Sequence, residues 1–128
     1  MKRIAVIDDL CGYGKCSLGI SIPILSAAKL DVCNIPTSLF SHHTALPNFS
    51  ILDTGDIFDD YITKLRELNV KFDAIYTANF IDKKQIYSSM QFIADNEDAK
   101  IFVDPVLGDF GRLYNGKNES IIPHLKKL

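Results

Sequence analysis

Short continuous apolar runs alternate along this chain with longer stretches whose apolar residues recur every three or four positions. The runs "RIAVID" (3–8), "DVCNIPTSLF" (31–40), "FDAIYTA" (72–78) and "AKIFVDP" (99–105) predict four strands, the last of them buried. Residues 15–29 predict a helix that is apolar nearly all around and therefore well covered. Pro23 should kink it, because the ring presses on the carbonyl of Gly19. Asp53 or Thr54 can cap a second helix, with Ile57, Phe58, Tyr61, Ile62, Leu65 and Leu68 at helical spacing. Asp82 caps a third, which carries Ile86, Met90, Ile93 and Ala94 and ends near Asn96. The stretch 45–53 reads as irregular, and 115–128 as a polar turn followed by a short helix.

Strands that alternate with helices imply an α/β domain: a parallel sheet with helices on both faces. Ligands of such sheets gather beyond the carboxyl ends of the strands. Here that rule gathers "DDLCGYG", "SLFSHHT", "TANF" and "DPVLGD" at one end of the molecule.

Composition narrows the class. With 128 residues, 47% hydrophobic, 23% charged and a net charge of −2, the chain fits one soluble domain. So even a balance leaves no electrostatic footprint for nucleic acid or a membrane surface. No run reaches the length of a membrane span, and "MKRIAVIDDL" lacks the apolar core of a signal peptide, so a cytoplasmic location is expected. Cys11, Cys16 and Cys33 show no CxxC spacing, which argues against a disulfide framework or a zinc site and for reduced thiols.

Four short motifs bear on chemistry. "GYGKCS" is not a phosphate loop, because Asp9 stands where the first glycine of that pattern belongs. The helix start beside it still offers free N–H groups to a polar ligand. "DTGD" (53–56) reads as a helix cap. "SHHT" (41–44) suits a hydrogen-bonding patch better than a metal site, which would want further ligands, although surface histidines without a task fit as well. In "VDPVLGDFGRLY" (103–114), Asp104 and Asp109 follow a strand end. Two acids so placed suit a hydrated magnesium ion or a metal–polyphosphate complex, and also plain turn formation.

In order and spacing, "IDDLCGYGKCSL", "PILSAAKLDVCNIPT", "SHHT", "KFDAIYTANF" and "VDPVLGDFGRLY" resemble the pyridoxal/pyridoxamine kinases of the ribokinase-like superfamily. The resemblance implies a three-layer ribokinase-like parallel sheet with helices on both faces, incomplete in this chain. It also implies ATP-dependent phosphorylation of the hydroxymethyl group of pyridoxal, pyridoxamine or pyridoxine, assisted by Mg²⁺ and in many members K⁺. Carried over by position, Asp9, His43, Thr44 and Asn79 match substrate-binding positions. Asp104 and Asp109 match the nucleotide and metal side, with Asp104 as a metal ligand. Ala45 and Ala78 stand where the family has glycine, and Asn79 where it often has an aromatic residue. The family's chain continues into more sheet, the adenine site and a Gly-rich anion hole with its catalytic Asp. By resemblance, residues 1–128 are the amino-terminal, substrate-side part, with no catalytic residue of their own and no C-terminal catalytic, ATP-binding part. Such a chain is expected to be inactive alone, and to form a homodimer or associate with the missing portion. Two rival readings stand beside this one: a non-catalytic remnant that binds a pyridoxal-like ligand or a partner, and a kinase for hydroxymethylpyrimidine.

Overall fold

The computed structural model describes residues 1–115, 117 and 119–128. Its centre is β1 (Arg3–Tyr13), which pairs in parallel with β2 (Asp31–His42) on one side and β4 (Ala74–Thr77) on the other. A short β3 (Ile51–Asp53) runs antiparallel along the outer edge of β2, and β5 (Lys100–Val103) runs parallel along the outer edge of β4. The order is β3-β2-β1-β4-β5.

Alternation along β1 builds two cores. Ile4 and Val6 meet Leu18 of α1 (Leu18–Ala27) on one face. Ala5 and Ile7 join Phe58 and Ile62 of α2 (Gly55–Glu67), with Ile86 and Phe92 of α3 (Lys83–Ala94), on the other. Ile121, at the end of a 3₁₀ turn (Glu119–Ile121), and Leu125 of α4 (Ile122–Leu125) close that second core. Each such side chain contributes roughly 1.5–3 kcal/mol by leaving water, so the larger cluster is the main source of stability. The three layers and parallel-dominant sheet agree with the fold read from the sequence.

Several elements differ from the sequence reading. β1 extends through "DDLCGY", because a register shift between Asp8 and Leu10 lets the strand bend and keep pairing as far as Tyr13 and His42. The stretch read as irregular contains β3. α1 starts at Leu18 rather than residue 15 and is not well covered: Leu18 is its only buried residue, while Ile24 is 61% exposed. Only one side of that helix meets the sheet. Pro23 is inside it, as expected.

β5 differs most. All four of its residues are exposed, Phe102 to 52%, and among the described residues no strand pairs with its outer edge. After it, β6 (Gly108–Asp109) and β7 (Arg112–Leu113) form a small antiparallel hairpin. Gly108 is required there, since a Cβ would lie 2.0 Å from the carbonyl oxygen of Arg112. The polar turn expected from residue 115 includes 116 and 118, which lie outside the described residues; the short helix expected after it is α4.

Candidate functional site

The sheet order reverses direction at β1: the chain moves outward to β2, then returns to add β4 on the opposite side. Such a switch point opens a crevice at the strands' carboxyl ends. The ends of β1 and β4 are joined there. Asn79 donates its backbone N–H to Asp8 Oδ1 (3.2 Å) and its side-chain Nδ2–H to Asp9 Oδ1 (2.6 Å). Ser17 donates its hydroxyl to the same Asp9 oxygen (2.9 Å). Ser17 holds φ 49°, a left-handed conformation uncommon for a residue with a side chain, and so stores strain beside the site.

The two adjacent acids have different surroundings. Asp8 and Asp9 are both buried. Burial, and after it the neighbouring Asp9 charge, push the Asp8 carboxyl up to about 7 against the pull of two backbone N–H donors. Asp9 instead faces a cavity of about 320 Å³, whose lining includes His43, Thr44, Asn79, Asp109 and Lys117. A volume of that order suits a small ring with a few polar substituents.

Local structure places the other walls. Gly14, at φ 90°, turns the chain after β1 so closely against "SHHT" that a Cβ would meet the Cβ of His43 at 2.8 Å. His43 Nδ1 accepts from the Ala45 N–H (3.0 Å), so the neutral ring carries its proton on Nε2. His42 is occupied elsewhere, with Ser41 Oγ and the Pro47 carbonyl. Phe40 and Phe49, packed edge to face at 5.7 Å between centroids, supply apolar wall.

Of the six residues singled out from sequence, Asp9, His43, Thr44, Asn79 and Asp109 therefore line one cavity. Asp104 does not line it. Its Oδ2 accepts from the Tyr76 hydroxyl (3.1 Å), and that phenol is pushed up to about 12, chiefly by burial and then by this hydrogen bond. Asp109 accepts from the Tyr114 hydroxyl; that hydrogen bond first, and then the charges of both acids, raise the Tyr114 pKa. Both carboxylates are exposed, and as hard oxygen donors they suit a hydrated Mg²⁺.

Sequence reading missed Lys117 and Gln85. Lys117 donates to the Phe80 carbonyl, and burial lowers its pKa to about 8 against the raising effect of Asp9 and Asp8. A lysine in a polar turn gives no warning of this. Gln85 is fully buried under the strand ends: its Oε1 accepts from the Ile81 N–H (2.9 Å) and its Nε2 donates to the Thr37 carbonyl (2.7 Å). Thr37 in turn donates its hydroxyl to the Asn79 carbonyl (2.6 Å), so this network fixes the loop that carries Asn79. In "DTGD", Thr54 is the N-cap residue of α2 but its side chain makes no capping hydrogen bond; Asp53, just before it, accepts from the Gly55 N–H (2.8 Å).

No family model matches the chain. Among solved structures, it is similar to a Bacteroides thetaiotaomicron protein assigned as a phosphomethylpyrimidine kinase, crystallised in one form with pyridoxal. That match has 41% identity and a TM-score of 0.93, over 98% of this chain and 45% of that one. A pyridoxal kinase from Lactobacillus plantarum matches with 25% identity and a TM-score of 0.93, over 99% and 46%. At 22% identity, pyridoxal kinase from Leishmania donovani, solved with ADP and pyridoxamine, shares the fold with a TM-score of 0.88 over 100% and 47%. The chain thus spans rather less than half the length of these proteins.

Proposed function

The chain belongs to the ribokinase-like pyridoxal kinase family, and from that premise we propose that residues 1–128 form the substrate-recognition part of an ATP-dependent kinase. Its substrate is pyridoxal, pyridoxamine or pyridoxine, phosphorylated on the hydroxymethyl group. The observation that carries this reading is the buried Asp9 carboxylate, met by Asn79 across the β1–β4 seam in a ring-sized cavity. A carboxylate so placed accepts from a protonated ring nitrogen or a phenolic hydroxyl. His43 and Thr44 offer further polar contacts, and the buried Asn79 Oδ1, which has no hydrogen-bond partner among the described residues, offers an acceptor. Phe40 and Phe49 exclude water from the ring.

Asp104 and Asp109 would hold the hydrated Mg²⁺ of the nucleotide, with K⁺ on the same side; the cations neutralise phosphate charge when bound. The general base and anion hole belong, by resemblance, to parts of the fold outside the span shared with the solved kinases. On this reading residues 1–128 recognise substrate, and turnover needs the remaining elements.

Titration with pyridoxal tests the reading. Asp9→Ala removes a charge-assisted hydrogen bond of about 1.5–3 kcal/mol, so affinity should fall roughly 10- to 100-fold. An unchanged dissociation constant removes Asp9 from the site. ATP-dependent turnover by the isolated chain, above background in a coupled assay, overturns the division between recognition and chemistry. A second reading, hydroxymethylpyrimidine as substrate, is favoured by the assignment of the Bacteroides relative. Tighter binding of the pyrimidine than of pyridoxal would decide for it.

A further inference from the structure

The cavity holds a constellation that the cysteine spacing argued against. Cys11 lies on the bent end of β1, Cys16 in the turn before α1, and Asp9 at the bend itself. Among the described residues they form the one cluster of its kind: a ligand atom from each lies within 4.8 Å of the others. Cys11 Sγ is 3.6 Å from Asp9 Oδ2. The two sulfurs lie within 4.8 Å of each other. Cys16 is half-buried, and all three residues line the cavity.

The geometry matches a tetrahedral metal. With Zn–S about 2.3 Å and Zn–O about 2.1 Å, such a centre spaces a sulfur and an oxygen ligand about 3.6 Å apart. The carboxylate is already oriented for it. Ser17 and Asn79 both donate to Oδ1, leaving Oδ2 toward the thiols, as hydrogen-bond donors behind a metal-binding carboxylate orient it. Two sulfurs and one carboxylate select a borderline-soft divalent ion over Mg²⁺.

We propose that Asp9 Oδ2, Cys11 Sγ and Cys16 Sγ form a three-ligand site for Zn²⁺ or a chemically similar ion, with its fourth position open to the cavity. Binding releases the two thiol protons to solvent and forms two metal–thiolate bonds, with no change of oxidation state. The charge of the ion then stands where the pyridine alcohol would meet Asp9. Metal and substrate exclude each other. The site itself rests on the three side chains alone; only the exclusion rests on the proposed function.

Cobalt(II) serves as the visible probe, titrated into the full chain under a phosphine reductant. The expected result is a near-ultraviolet thiolate-to-cobalt absorption that saturates at one ion per chain and is displaced by Zn²⁺. Cys16→Ser and Cys11→Ser should abolish it, while Cys33→Ser, a thiol on β2, should retain it. Absence of a saturable band in the unaltered chain overturns the site, independently of how any variant folds. So does a band that survives in the Cys11→Ser/Cys16→Ser double variant. Pyridoxine is then titrated with and without saturating Zn²⁺, and its apparent dissociation constant should rise at least tenfold. Unchanged pyridoxine affinity with the metal bound overturns the exclusion. A chain that binds cobalt but never pyridoxine defeats the proposed function and supports the metal site.

Discussion

Asp8 and Asp9 show how much one residue's shift in register can do. Asp8 points into the protein, accepting from the N–H groups of Asp9 and Asn79, and holds its proton up to about pH 7. The sign of the pH effect follows. Its native pKa lies above the ordinary value of 3.8, so between about pH 4 and pH 7 the folded state binds more protons than the unfolded state. Stability contributed at the acid end of that window is therefore lost as pH rises through it, by an amount on the order of a few kcal/mol. Asp8→Asn keeps an acceptor for both N–H groups and removes the titration. Urea unfolding across pH 4–7 should show a flatter profile for the variant; an identical slope would show that Asp8 ionises freely. Sequence gave both acids the same appearance. The family resemblance singled out Asp9, but nothing local in "IDDL" distinguishes the buried acid from the one that faces the cavity.

The elements were legible where apolar periodicity dictates them. α2 and α3 appear close to their expected spans, and Asp82 caps α3 by accepting from the N–H groups of Lys84 and Gln85. Failures follow from context that periodicity does not carry. α1 has apolar residues on its open side, so composition alone overstated its burial. β3 is three residues long and exists because β2 offers it an edge. In α3 the buried positions include polar Gln85 and Ser89, which an apolar pattern passes over. Gln85 nevertheless ties the middle of β2 to the loop after β4. Gln85→Leu would leave the half-buried Ile81 N–H without its acceptor, at a cost of about 1–3 kcal/mol. Chemical denaturation should show that loss, and faster amide exchange at Ile81 should accompany it; full protection at Ile81 would mean another group holds the loop.

At the scale of the whole molecule, the cavity and the open edge are separate. β1, β2 and β4 build the core of the cavity, whereas β5 presents Ile101, Phe102 and Val103 to solvent with Lys100 as its only charge. An apolar strand with an unpaired edge is a template for further pairing. Sedimentation of the chain should show association that grows with concentration, and Phe102→Lys should weaken it without altering pyridoxal affinity. A strictly monomeric chain at all concentrations would show that the edge is protected by other means. Phe110, at the tip of the β6–β7 hairpin, is likewise fully exposed.

The Asn79–Asp9 bond across the central seam has a wider consequence. On the proposed function, molecular recognition is wired into the interior of the sheet, while any expansion of the architecture proceeds from its margin. Lengthening, exchanging or losing whatever docks at the margin would leave the grip on the small molecule in place.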